Sequence, residues 1–221
     1  MSSEVVVDTI MSNLKFKVII FGLILTFILV SSAAMLYIDG TFTNNLETRT
    51  YSDNLGGEPI QTSYSGKTFS IDDTLETYTI TPVAKYEITA KVVSIADYNH
   101  DKFGISPLDL CMVWGKVAND NNIIYSQGGR LCSFRYTGTL SVSDNDAISH
   151  FSNNHIIPSN DTIAKALKSI KTNDVVTIKG YLVDVTKTYI VGNGKWMWKT
   201  SQSRYDTRDG SCEIIYVTSV S

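Results

Sequence analysis

Val18 to Ile38 form one uninterrupted apolar run, VIIFGLILTFILVSSAAMLYI, with no charge inside it. About 20 such residues cross the hydrocarbon core of a bilayer at 1.5 Å per residue, so the run predicts a transmembrane signal-anchor helix ending at Asp39-Gly40. A cleaved signal peptide is the competing reading, with Lys15 and Lys17 as its basic region and Ser31-Ser32-Ala33-Ala34 as the processing site. The apolar pattern resumes at Met35 to Ile38, which a cleavage region has no use for, and this favours the anchor. Downstream the period changes. Tyr86, Ile88, Ala90 and Val92 alternate with Glu87, Thr89 and Lys91, the mark of a half-buried strand, and the apolar phase then slips to Val93 and Ile95. A slip of one residue predicts a bulge and a bent strand.

Further strands are expected at Leu108–Val117 (LDLCMVWGKV), Arg130–Tyr136 (RLCSFRY), Val175–Val185 (VVTIKGYLVDV), Lys195–Lys199 and Cys212–Val220. Gly180 interrupts the third of these where a bulge or a close backbone approach is needed. Gly192-Asn193-Gly194 reads as a hairpin turn. One helix stands out. Ile163, Ala166, Leu167 and Ile170 recur at i, i+3, i+4 and i+7 behind a cap at Ser159 or Asn160, and the helix stops at Thr172-Asn173-Asp174. Residues 138–158 read as a long insertion ahead of that helix, with Ser149–Pro158 as a loop.

The pattern divides the chain into a cytoplasmic tail (1–17), the anchor (18–38), a Thr/Asn/Ser/Gly-rich flexible stalk (39–66) and one exported domain (67–221). Lys15 and Lys17 precede the span, and the first cation after it is Arg49, so the tail stays cytoplasmic and the domain lies outside. The bilayer is therefore the first expected partner, through residues 18–38. The chain carries 19 Lys+Arg against 22 Asp+Glu, a net charge of −3. A binder of phosphate backbones carries a cationic surplus, so the balance argues against nucleic acid. Cys111, Cys132 and Cys212 all fall in the exported part, where one disulfide and one leftover thiol are expected. Their spacing leaves the pairing open.

Three strands, one helix, then further strands is the element order of an OB-fold, a five-stranded β-barrel. The exported domain resembles that fold in this order, in the bent first strand and in the run Lys171-Thr-Asn-Asp-Val-Val-Thr-Ile-Lys-Gly180, so the expected class is mainly β with one short helix. Ser149–Pro158 (SHFSNNHIIP), Lys179–Val183 (KGYLV) and Ser203–Glu213 (SRYDTRDGSCE) together resemble stretches of uncharacterised membrane-anchored bacterial envelope proteins. That resemblance implies an envelope location and no particular activity.

Candidate chemistry concentrates in two of these segments. The first holds His150, Asn153, Asn154 and His155, a set that could ligate a metal, share acid–base work or satisfy a buried loop. No HExxH or HxxxH spacing accompanies it. The second holds Arg204, Asp206, Arg208, Asp209 and Glu213. Its carboxylates could hold a hard cation, but the segment lacks the alternation of a calcium loop, and an Arg–Asp network that pins the last strand is simpler. His150, Asn154, His155, Arg204, Asp206, Asp209 and Glu213 are accordingly the candidate ligand-binding residues, with no cofactor or metal assigned. Trp196 and Trp198 share one face of a short strand, as a stacking platform or as core. Neither a phosphate loop nor a GxSxG elbow is present. The residues favour a binding or assembly module for an envelope protein or polymer. The alternative is a metal-assisted hydrolase built from His150, His155, Asp206 and Asp209.

Overall fold

Ten strands, two α-helices and one 3-10 helix make up the regular structure of the described part of the chain. The structure, a computed structural model, describes residues 55, 57–73, 75–98, 104–189, 194–206 and 211–221, all within the unit Tyr51–Ser221. The expected anchor at 18–38, the tail, the turn at Gly192-Asn193 and Asp209 lie outside the described residues. Strand makes up 55% and helix 12%, so the fold is mainly β. In chain order the elements are β1 (Ile60–Ser63), β2 (Phe69–Asp72), β3 (Glu76–Asp97), β4 (Leu108–Val113), β5 (Ile123–Gly128), β6 (Leu131–Tyr136), α1 (Asp144–Ser149), β7 (Phe151–Pro158), α2 (Asp161–Lys168), β8 (Val175–Tyr189), β9 (Lys195–Trp198) and β10 (Glu213–Val220).

The pairings run in a ring, β3–β4–β7–β10–β8 and back to β3, that is not a true barrel. All neighbours in it are antiparallel except β7 and β10, which run parallel. β1 and β2 add to the edge of β3, and β9 adds to β8. β3 holds the ring together because it is long enough to meet β2, β1 and β4 in turn along one edge and β8 along the other. Its register shifts between Val92 and Ser94 against β4, where the hydrophobic phase slips. A second shift, between Pro82 and Ala84 against β8, turns the strand over. One residue of slip exchanges the faces of a strand. Ala84, Tyr86, Ile88, Ala90 and Val92 therefore join the core shared by all five ring strands, whereas Tyr78 and Ile80 join a separate cluster with Ile157, Val183, Val185 and Ile214.

Gly180 is needed where β8 meets β10. A Cβ there would stand 2.0 Å from the Tyr216 carbonyl oxygen, so only glycine allows the two backbones to pair. α2 begins at Asn160, whose side chain accepts a hydrogen bond from the Ile163 amide, and it sets Leu167 into the ring core with Ile163 and Ile170 beside it.

The structure departs from the expected elements in several places. Ser149–Pro158 is not a loop. From Phe151 onward it is β7, a ring strand between β4 and β10, buried over six of its eight residues. Helix α1, with a Ser143–Asp146 capping box, occupies part of the supposed insertion. Arg130–Tyr136 supplies β6, which lies outside the ring and pairs with β5 in a two-stranded sheet. The strand expected at Leu108–Val117 stops at Val113, because Gly115 takes a positive φ of 61° and opens a 3-10 turn. In the segment expected as stalk, Ile60–Ser63 pairs with Ala84–Glu87 of β3.

Because Leu167 is the residue of α2 that enters the ring core, Leu167→Ala is expected to destabilise the domain by about 2–5 kcal/mol. The shift in the urea unfolding midpoint measures it.

Candidate functional site

On the strands of one ring wall, alternation sends Leu108, Leu110 and Met112 of β4 inward, and Asp109 and Cys111 outward. On β7 the same alternation sends Asn153 and His155 outward. This outer wall is covered by the β5–β6 hairpin, and the cover explains how such polar residues come to be buried. Gly129 and Arg130 form the two-residue tip of that hairpin, with φ of 59° and 67°. Positive φ at both positions suits the right-handed twist of a hairpin, but a non-glycine residue there carries a strain of about 1–3 kcal/mol.

What the strained position provides is visible in its contacts. The Arg130 guanidinium donates to Asp109 Oδ1 at 2.8 Å and to the Ser106 carbonyl at 2.8 Å, and it stacks on the Tyr98 ring at 3.9 Å. The Arg130 amide donates to the Tyr98 hydroxyl, and the Arg130 carbonyl accepts from Asn153 at 3.0 Å. His155 Nδ1 stands 2.9 Å from the same Asp109 oxygen. A carboxylate only accepts, so Nδ1 carries the hydrogen. The His155 ring packs against Trp198 of β9 at 4.5 Å. Asp109 is wholly buried, and so this one carboxylate ties β4, β7 and the hairpin together. A Cys111–Cys132 disulfide fastens the hairpin to β4 a second time. Cys212 is the buried free thiol among the described residues, and burial pushes it up to about 11.

His150 lies elsewhere. It caps the end of α1, and its Nε2 pairs with Glu58 Oε1 at 2.8 Å beside Trp114. The two histidines are thus held by two different carboxylates. Among the described residues no group of three or more His, Cys, Asp or Glu side chains could hold a metal ion. Asn154 and Glu213, side by side in the β7–β10 ladder, point into the ring. Asn154 donates to the Leu110 carbonyl and to Ser152. Glu213 Oε1 accepts from Arg204, which also donates to Gln61 Oε1 at 2.8 Å and lies over Tyr86. Arg204 thereby links β10, β1 and β3. The Tyr86 hydroxyl, Asn154 Oδ1 and Glu213 Oε2 are buried without a hydrogen-bond partner. Burial drives the Glu213 carboxyl up to about 7, with the Arg204 charge opposing the rise.

The two polar segments do meet. A cleft of about 390 Å³ is lined by Leu131 to Phe134 of β6, Ile148, Phe151 to Asn153 of β7, and Asp206, Ser211 and Cys212. Of the sequence candidates among the described residues only Asp206 faces it, with its Oδ2 accepting from the Ser201 hydroxyl at 2.6 Å. Trp196 and Trp198 are half-buried and in contact with each other, 5.7 Å between ring centroids. Asp109 and Arg130 do not stand out in the sequence. The available signal was an acid inside an otherwise apolar strand, since a buried carboxylate requires a cation or hydrogen-bond donors nearby.

Arg130→Met removes the cation and leaves the buried Asp109 carboxylate with the imidazole alone, so a loss of about 3–5 kcal/mol is expected in chemical denaturation. For Glu213 the folded carboxyl holds its proton up to about 7, above the ordinary 4.5. The native state then binds more protons across that window, and stability falls as pH rises through it. Glu213→Gln is expected to flatten the unfolding midpoint between pH 4.5 and 7.5. A profile as steep as the parent's places the titration on another group. Comparison of the chain with protein families, with curated proteins and with solved structures finds no match.

Proposed function

We propose that the domain is an extracytoplasmic binding module of OB-like architecture, held at a membrane by residues 18–38, and that it engages a protein or polymer of the cell envelope through the cleft between β6 and β7. The observation that carries this reading is the cleft itself, in which the segments 149–158 and 203–213 come together. Its walls combine Leu131, Phe134, Ile148 and Phe151 with Ser133, Asn153 and Asp206, the mixture of apolar surface and few polar groups that ligand sites use.

The architecture supports the OB-like part. Five strands share one ring, and α2 lies between the third and fourth of them, β7 and β8, as in the partly open five-stranded OB arrangement. The disulfide supports the compartment, since such bonds persist outside the reducing cytosol. The side chains around the cleft support binding over turnover. Asn153 clamps Gln127, Arg130 and Cys212 together, so the cleft has a braced wall.

Two measurements test this together in cells. A phosphatase fused at the carboxyl end is expected to be active, because that enzyme needs the oxidising exterior; an inactive fusion overturns the location. A photo-crosslinker at Ser133, inside the cleft, is expected to capture an envelope component that the same crosslinker at Lys179, outside it, does not. Identical capture from both positions removes the cleft as the binding surface.

A further inference from the structure

The cleft is lined by two runs of consecutive residues, 131–134 of β6 and 151–153 of β7. Side chains on a strand alternate between faces, so a cleft bordered by one face of a strand would meet every second residue. Consecutive lining means that strand edges front the cleft. The pairing pattern agrees. Among the described residues β6 pairs with β5 alone, so its second edge has no strand beside it. β7 is paired to β4 from Phe151 onward, but on its other side β10 joins only at Asn154. Cys212, the residue before β10, gives its carbonyl to the Ser201 amide instead. Among the described residues Phe151, Ser152 and Asn153 thus have no strand on that side, where the Ser152 carbonyl accepts only a long 3.4 Å contact from the Asn154 side chain.

We propose that the cleft takes a short extended peptide of a partner protein by strand addition, with a basic side chain of that peptide set against Asp206. This rests on the cleft being the binding surface, and it names what the surface binds. An open strand edge presents alternating N–H and C=O groups at fixed intervals, and another peptide backbone matches those intervals. A glycan offers hydroxyls with no such register. Asp206 is the one charged residue among the cleft's described lining, so complementarity selects a cation. Phe134 and Phe151, 5.1 Å apart, offer an apolar wall for the side chains that alternate with it. A cleft of about 390 Å³ lies near the lower end of the range of ligand sites, about 300–1,000 Å³, which limits the guest to a few residues. The edge of β6 is itself only six residues long, short enough to limit indiscriminate pairing with other chains.

The test uses the full chain in detergent and four capped peptides, acetyl-VKVKVK-amide, acetyl-VEVEVE-amide, and the lysine peptide N-methylated at every second residue in each of the two phases. Binding is read by calorimetry, and backbone engagement by amide hydrogen exchange. The lysine peptide is expected to bind and to slow exchange at residues 131–134 and 151–153. The glutamate peptide is expected to bind at least about tenfold more weakly. At least one phase of N-methylation, which keeps the side chains and removes donors, is expected to weaken binding by a similar factor. Asp206→Asn is expected to abolish the preference for lysine over glutamate. Equal binding by both N-methylated phases overturns strand addition on the unmutated protein, whatever the variant does. A lysine preference that survives Asp206→Asn overturns the placement of the cation. If none of the peptides binds while Ser133 still crosslinks selectively in cells, the peptide class falls and the binding module stands.

Discussion

A single carboxylate governs how this domain is put together. Asp109 is wholly buried on the outer wall of the ring, and a charge in that position is tolerated only where cations and donors surround it. Arg130 and His155 meet it from two other elements, the hairpin tip and β7. Neither partner can move without leaving the charge exposed to apolar surroundings. The hairpin must therefore lie against β4 and β7, and that placement in turn forms one side of the cleft. The positive φ at Arg130 follows from the same demand, because the guanidinium reaches Asp109 from the turn itself. Burying charge does little for net stability compared with an apolar core. Its effect is to fix one arrangement of hairpin on ring.

The elements legible in the sequence were those that local physics decides. The i, i+3, i+4, i+7 spacing and the Asn160 cap located α2. The phase slip after Val92 marked the bulge, and Gly180 marked a backbone approach that the Tyr216 carbonyl makes unavoidable for any larger residue. β7 was illegible for a specific reason. Asn153, Asn154 and His155 are the residue types of a solvated loop, and they become buried strand residues only because Gln127, Arg130, Leu110 and Asp109 supply their hydrogen bonds from elsewhere in the chain. No window along the sequence contains those partners. The same holds for the cleft, whose lining comes from three segments between Leu131 and Cys212. Asp206 was visible as a polar residue, but its companions Phe134, Ile148 and Phe151 were indistinguishable from core.

Two kinds of polar burial coexist in the domain, and they have different consequences. On the outer wall Asp109 Oδ1 is shared between a guanidinium and an imidazole, while its Oδ2 has no hydrogen-bond partner. Inside the ring, Tyr86, Asn154 and Glu213 each also keep an atom without a partner, and burial pushes the Glu213 carboxyl up to about 7. Arg204 stands over that incomplete set and joins it to β1. The charge of the inner set therefore changes near neutral pH through Glu213.

The position of β10 in the chain constrains when the ring can exist at all. It pairs with β7 on one side and β8 on the other, and it follows the other four ring strands in the chain. Until it arrives, two ring edges stand bare, and no local contact can substitute for the parallel register with β7. Long-range pairing of this kind slows folding. A nascent chain therefore cannot close its ring until β10 has been made, whatever order the other four ring strands pair in.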